Sequence, residues 1–217
     1  MLDRFRTFWT RVFTPVVNLL LRLGVSPDAV TVVGTIGVVA GAVIFFPRGD
    51  LFVGVLVITA FVFADLIDGT MARVSGRVSP FGAFLDSTLD RIGDAAIFGG
   101  LAMYFASPGD NDWIAALAIY CLTMGAVTSY ARARAESLGF QAKVGIAERA
   151  DRLVSILVVT GLAGLLDLLG IEEALWAIPV TLGALAVAST VTVVQRILVV
   201  RRQALAAAAA PTPPPTP

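Results

Sequence analysis

The sequence contains no histidine, which removes both the most frequent general base and any zinc site built on imidazole. Cys121 is the single cysteine. No internal disulfide can form, and its place in an apolar run reads as packing. Charge is also scarce, with 15% of residues charged against 57% hydrophobic and a mean hydropathy of +0.85 over 217 residues. Soluble domains carry about a quarter charged residues, so this composition excludes one and places the chain in a bilayer. The first residues lack the long uncharged run and small-residue cleavage site of a secretory signal peptide.

What the sequence does contain is a series of apolar runs. They predict an all-α integral membrane protein with six transmembrane helices over 29–46, 51–73, 82–105, 112–136, 150–169 and 174–200. The second and third are long enough for a hydrocarbon core of about 30 Å. Ser26 followed by Pro27 and Asp28 is a helix start, with serine as N-cap and proline in the first turn. Upstream, Phe5, Phe8, Trp9, Val12, Phe13, Val16, Leu19, Leu20 and Leu23 recur at near-helical spacing among Arg4, Arg6, Arg11 and Arg22. That pattern predicts an N-terminal amphipathic interfacial helix, bent near Pro15. The Ala- and Pro-rich stretch 205–217 is expected to be disordered. The chain thus divides into a juxtamembrane segment 1–25, one membrane domain 26–204 and a tail 205–217.

A net charge of zero conceals an asymmetry. Of the 16 basic residues, Arg48 alone falls in the loops after the first, third and fifth spans, which carry Asp50, Asp110, Asp112, Glu172 and Glu173 instead. By the positive-inside rule both termini are cytoplasmic. The expected location is the plasma membrane.

Four carboxylates break the apolar pattern between Asp65 and Asp90. An acid at the centre of a transmembrane helix costs roughly 2.5 to 3.5 kcal/mol on insertion scales, so a set of them marks function rather than stability. Asp65 and Asp68 are three apart and Asp86 and Asp90 four apart, so each pair projects from one helix face. The short polar connection from Arg73 to Gly82 predicts a tight antiparallel helix hairpin, with the two pairs facing each other at similar depth on the cytoplasmic side. Converging carboxylates without imidazole or thiolate favour Mg²⁺, Mn²⁺ or Ca²⁺. Two such ions balance the charge of four acids, and paired metals are a recurring device for phosphoryl transfer. Gly69, Ala72 and Gly82 leave room for a close approach, and Arg73 is placed to meet a phosphate. Intramembrane acids equally suit an ion or proton transporter. Asp94 continues the Asp86 and Asp90 face, either to tune metals or to pair with an arginine such as Arg91.

A second, basic constellation comprises Arg132, Arg134, Lys143, Arg149 and Arg152 around the connection between the fourth and fifth spans, with Arg196 near the inner end of the sixth. Arg132 and Arg152 are expected to clamp a phosphate, since arginine offers paired donors. Positive-inside flanking accounts for arginines here as well.

The pattern D-x2-D-G-x2-A-R-x8-G-x3-D-x3-D resembles that of the CDP-alcohol phosphotransferases. Asp65, Asp68, Gly69, Ala72, Arg73, Gly82, Asp86 and Asp90 fill its eight fixed positions. The resemblance implies a Mg²⁺-dependent membrane enzyme, with Mn²⁺ as a possible substitute, that displaces CMP from a CDP-linked lipid with an alcohol. Asp65, Asp68 and Asp86 would be metal ligands, and Asp90 both ligand and general base. Gly69, Ala72, Arg73, Ser79 and Gly82 would line the site for CDP-diacylglycerol. The family's Pro-Asn-x-x-Thr stands here as Pro27-Asp28-Ala29-Val30-Thr31. Asp28 in place of the amide would accept from the cytosine amino group, although capping alone also explains it.

The segments from Ser129 to Gly139 and from Gly145 to Leu153, with Gln195 and Arg196, resemble the actinobacterial phosphatidylinositol-phosphate synthase branch of that family. The implied acceptor is inositol 1-phosphate, its phosphate held at Ser129, Arg132, Arg152 and Arg196, and the implied assembly a homodimer. Relatives can carry lysine at the position of Arg132, which keeps the charge. Glycerol 3-phosphate, giving phosphatidylglycerol phosphate, is the alternative acceptor.

Overall fold

The computed structural model describes residues 15–74, 76 and 79–209, with the side chains of 64–66 and 72 outside that description. Polar caps start most of its long helices. Ser26 Oγ accepts the Ala29 N–H at 3.2 Å, and Pro27 opens α1 (Pro27–Phe45). A 3-10 turn, Phe46–Arg48, ends on Gly49 at a φ of 84° and leads into α2 (Leu51–Val74). That left-handed conformation strains any residue with a Cβ, which accounts for glycine at the reversal. α3 (Pro80–Ala106) repeats the serine and proline start, with Ser79 Oγ accepting from Gly82 at 2.9 Å. Asn111 Oδ1 caps α4 (Asp112–Ser137) through the Ile114 N–H at 3.1 Å. Glu148 and Asp151 close a capping box on α5 (Arg149–Leu168), and a 3-10 turn, Glu172–Trp176, precedes α6 (Ala177–Ala209).

Pro27–Arg48, Leu51–Met71, Asp112–Ser137 and Glu172–Ala209 are each long and apolar enough to cross a membrane. The protein is therefore an all-α integral membrane protein with several long apolar helices. α3 and α5 reach 27 and 20 residues, but acids and arginines at their N-terminal ends keep composition from marking them as spans. The amphipathic helix expected over 2–23 lies mostly outside the described residues, of which 15–22 are helical. The expected disorder from 205 onward is corrected for 205–209, where α6 continues to Ala209. Alanine has the highest helix propensity, and the alanines of 206–209 extend a helix that is already nucleated. Residues 210–217 lie outside the described residues.

The helices pack in a ring. α1 contacts α2 and α3, α2 contacts α5, α3 contacts α4, and α6 closes the circle between α4 and α5. Among the described residues α2 and α3 make little contact along their lengths, unlike the tight hairpin expected from their short connection. Both lean on α1 instead, because its buried Gly34, Gly37 and Gly41 let neighbours approach. The same close packing recurs where a Cβ on Gly164 would stand 2.7 Å from the Phe52 nitrogen and one on Gly100 2.8 Å from the Ala42 oxygen.

One end of the ring is apolar. Phe46, Leu51, Ile58, Ile97, Leu101, Ile156, Ile178 and Leu182 are each 2% exposed or less and form one core. Trp113 and Trp176 stand exposed at that end, the belt position of interfacial aromatics. Buried polar residues gather toward the other: Asp68, Thr70, Asp94, Thr128, Arg152, Ser189, Thr192 and Arg196.

Candidate active site

Antiparallel neighbours around a ring bring the C-terminal half of α2 level with the N-terminal half of α3. Asp68, Asp86 and Asp90 accordingly line a single cleft, together with Thr31, Thr35 and Arg149. Asp65 lies one helical turn before Asp68 on α2, with its side chain outside the described residues. Among the described residues no three acid, cysteine or histidine side chains are grouped closely enough to hold a metal ion. Val38, Phe61, Val62, Leu89, Ile97 and Leu153 form the apolar walls. Phe61 and Val62 are 37% and 41% exposed on the outside of the bundle, so the cleft has a lateral, lipid-facing side.

The acids of α3 are held from across the ring. Arg149 donates from Nη2 to Asp90 Oδ1 at 2.9 Å and from Nε to Asp94 Oδ1 at 3.0 Å. Arg91 approaches Asp90 at 3.5 Å and Asp94 at 3.6 Å, and it donates to the Ser129 hydroxyl on α4. Asp94 therefore pairs with arginine, with Arg149 closer than the expected Arg91. Arg149 belonged to the expected basic constellation without a role of its own. Two acids one turn apart with a single adjacent arginine were the signal that a second cation was required.

The residues expected around the nucleotide are brought close at the start of α1 and α3. A Cβ on Gly82 would lie 3.3 Å from Ser79 Oγ and 3.5 Å from Asp28 Oδ1. Ser79 is engaged as a cap, and Thr31 Oγ1 donates to the Pro27 carbonyl at 3.1 Å while lining the cleft. Ala29 is exposed and Val30 half-buried beside them. Gly69 faces open space, with nothing within 4 Å of where its Cβ would be. Arg73 is exposed and donates to Thr70 at 3.2 Å. The side chain of Ala72 lies outside the described residues.

The expected acceptor residues fall into two groups. Arg152 is 2% exposed and donates from Nη1 to the Ala147 carbonyl at 3.1 Å, while its Nη2 meets no hydrogen-bond partner among the described residues. It feels the positive charges of Arg91, Arg149 and Arg196 as well as the negative charge of Asp94. Ser129 joins this group through Arg91. Arg196, 3% exposed, instead binds the carbonyls of Val144 and Thr128. Arg132 stays at the surface in a 2.9 Å pair with Glu136 one turn along. No clamp between Arg132 and Arg152 is formed, since Arg152 packs on α4 at Gly125, two turns before Arg132, which turns to Glu136 instead.

Sequence pattern did not single out Thr192. Fully buried on α6, its hydroxyl accepts the Ile146 and Ala147 N–H groups at 3.2 Å each and donates to Ala188 at 2.8 Å. It thereby fixes the turn that leads into Arg149 and Arg152. A lone threonine in an apolar helix carries no distinguishing signal, and only the folded loop reveals its partners.

Fold and site together define a membrane-embedded helix bundle with an oxygen-rich acidic cleft beside a cluster of guanidinium groups. The chain belongs to the CDP-alcohol phosphatidyltransferase family, whose model matches residues 24–191. It is 52% identical over 206 residues to a phosphatidylinositol phosphate synthase of Streptomyces avermitilis, covering 94% of this chain and 84% of that one. Its fold is similar to the crystal structure of Mycobacterium tuberculosis phosphatidylinositol phosphate synthase with CDP-DAG bound, at a TM-score of 0.82 and 41% identity, over 88% of this chain and 94% of that one. The same Mycobacterium protein in complex with manganese and citrate gives a TM-score of 0.80 and 40% identity, over 87% of this chain and 88% of that one. Family membership makes this chain a transferase and sets the transporter reading aside.

Proposed function

We propose that the chain transfers the phosphatidyl group of CDP-diacylglycerol to inositol 1-phosphate, releasing CMP. The observation that carries this reading is the shared cleft of Asp68, Asp86 and Asp90, open laterally past Phe61 and Val62, lined by Arg149 and with Arg91 paired to Asp90. Acyl chains would remain in lipid while the headgroup enters from the side.

The donor set fits a divalent cation by its chemistry, since three carboxylates line the cleft without a sulfur or imidazole ligand. Asp65, Asp68, Asp86 and Asp90 would hold one or two such ions, Mg²⁺ or the Mn²⁺ with which the Mycobacterium relative was crystallised. Once bound, the ions would supply positive charge for the phosphoryl oxygens. Asp28, Ala29, Val30, Thr31, Gly69, Ala72, Arg73, Ser79 and Gly82 would receive the CDP portion, with Gly69 giving the backbone close access. Ser129, Arg132, Arg152 and Arg196 would serve the acceptor phosphate. The unpartnered Nη2 of Arg152, buried among like charges, supports that assignment because such a group is stabilised by an anion.

Asp90 acts as the base in this reading. It takes the proton of an inositol hydroxyl, whose oxygen bonds to the phosphorus carrying diacylglycerol as the bond from that phosphorus to the CMP oxygen breaks. Holding both substrates in one cleft supplies the proximity term. The reading extends to six spans, both termini and the cleft on the cytoplasmic side of the plasma membrane, and a homodimer. Loop charge supports the orientation, and the family resemblance supports the dimer.

The deciding experiment incubates purified protein with CDP-diacylglycerol and Mg²⁺ or Mn²⁺, and with inositol 1-phosphate, inositol or glycerol 3-phosphate in turn. Mass spectrometry is expected to find phosphatidylinositol phosphate with the first acceptor, and chelation of the metal to stop its formation. Phosphatidylglycerol phosphate as the dominant product would transfer the assignment to the alternative acceptor.

A further inference from the structure

The acids of the cleft need positive charge before any metal arrives, and the structure shows where it comes from. Arg149 is the first residue of α5, held in place by the Glu148 and Asp151 capping box. Its guanidinium forks across one turn of α3, Nη2 to Asp90 Oδ1 at 2.9 Å and Nε to Asp94 Oδ1 at 3.0 Å. The side chain is 33% exposed and lines the same cleft as Asp68 and Asp86. It touches the acids of α3 and lies one helical turn before Arg152 on α5.

A guanidinium and a divalent cation repel each other, so they compete for Asp90. We propose that Arg149 is an exchangeable counter-ion that couples metal binding to acceptor binding. In the metal-free protein it neutralises Asp90 and Asp94 alongside Arg91, which stands farther off at 3.5 and 3.6 Å. When a divalent cation takes Asp90, the Nη2 end is released toward the neighbouring arginines while the Nε end remains on Asp94. The released end joins Arg152 as a donor to an anionic phosphate on the acceptor alcohol. Metal and acceptor each strengthen the binding of the other, because coupling of this kind is reciprocal. The proposal rests on the metal-binding reading given above and adds a function for a residue which that reading leaves unassigned.

The test measures Mn²⁺ binding to the full-length protein in nanodiscs by electron paramagnetic resonance, with and without saturating inositol 1-phosphate and without lipid substrate. In the unmodified protein the acceptor is expected to tighten Mn²⁺ binding by about fivefold or more. Arg149→Gln is expected to bind Mn²⁺ about tenfold more tightly in the absence of acceptor and to lose most of the coupling. Arg149→Lys keeps the charge but cannot bridge both acids, and it is expected to fall between the two. Mn²⁺ binding by the unmodified protein that does not respond to acceptor overturns the proposal without recourse to any variant. So does an Arg149→Gln protein that binds Mn²⁺ no more tightly than the original. Failure of the unmodified protein to bind Mn²⁺ at all would instead remove the metal-site reading itself.

Discussion

The two ends of the bundle use the same six helices to opposite purposes. At the apolar end, Phe46, Leu51, Ile58, Leu101 and Leu182 close the ring, and glycines such as Gly100 and Gly164 bring backbones into contact. At the polar end α2 and α3 stand apart, and the space between them is a cleft lined by Asp68, Asp86 and Asp90. Charge there is answered by charge or by backbone dipoles, Arg149 on Asp90 and Asp94 and Arg196 on backbone carbonyls. Dispersion and close packing hold the first end, while the second is held by directional bonds that leave a cavity. The rigid end supplies the frame that lets the polar end keep an open, electrostatically loaded site.

If this division holds, damage at each end has a different signature. Asp90→Asn is expected to lower CMP release by about 10² to 10⁴-fold, the usual scale of general-base catalysis, with thermal stability in detergent little changed. An activity close to that of the unmodified protein would remove Asp90 as the base. Leu182→Ala, at the apolar end, is expected to cost about 2 to 5 kcal/mol of stability through the cavity it leaves. Its melting temperature should fall while the Michaelis constants measured well below that temperature stay put. A selective change in acceptor affinity would show that the ends are not separate.

Thr192→Val tests the boundary between them, because it keeps the shape and removes the acceptor of two backbone N–H groups. The unsatisfied groups are expected to cost about 1 to 3 kcal/mol. The Michaelis constant for the acceptor should rise more than that for CDP-diacylglycerol, with Thr192→Ser restoring both. The smallest effect is expected for Glu136→Ala. Its exposed pair with Arg132 contributes less than about 1 kcal/mol, and a denaturation midpoint shifted well beyond that would show that the pair braces the site.

Much of this organisation was legible in the chain. The acid spacing placed Asp68, Asp86 and Asp90 on one cleft, and Ser26 and Ser79 marked helix starts. The order of packing was not legible, since a short connection from α2 to α3 promised a hairpin and the glycines of α1 drew both helices to itself. Nor was the division among the arginines. Arg132, Arg152 and Arg196 carry the same charge in similar surroundings of sequence, yet one is exposed on Glu136, one is buried with a nitrogen to spare and one braces a loop.

The sequence by itself determined that the chain lives in a bilayer, where its helices begin, and which acids share a cleft. All three follow from composition and from spacings of a few residues, which act along the chain. Only the tertiary structure decided which helices are neighbours, which cation answers which acid and what Thr192 does. Those depend on distances between residues such as Asp90 and Arg149, far apart in the chain and joined only when the ring closes.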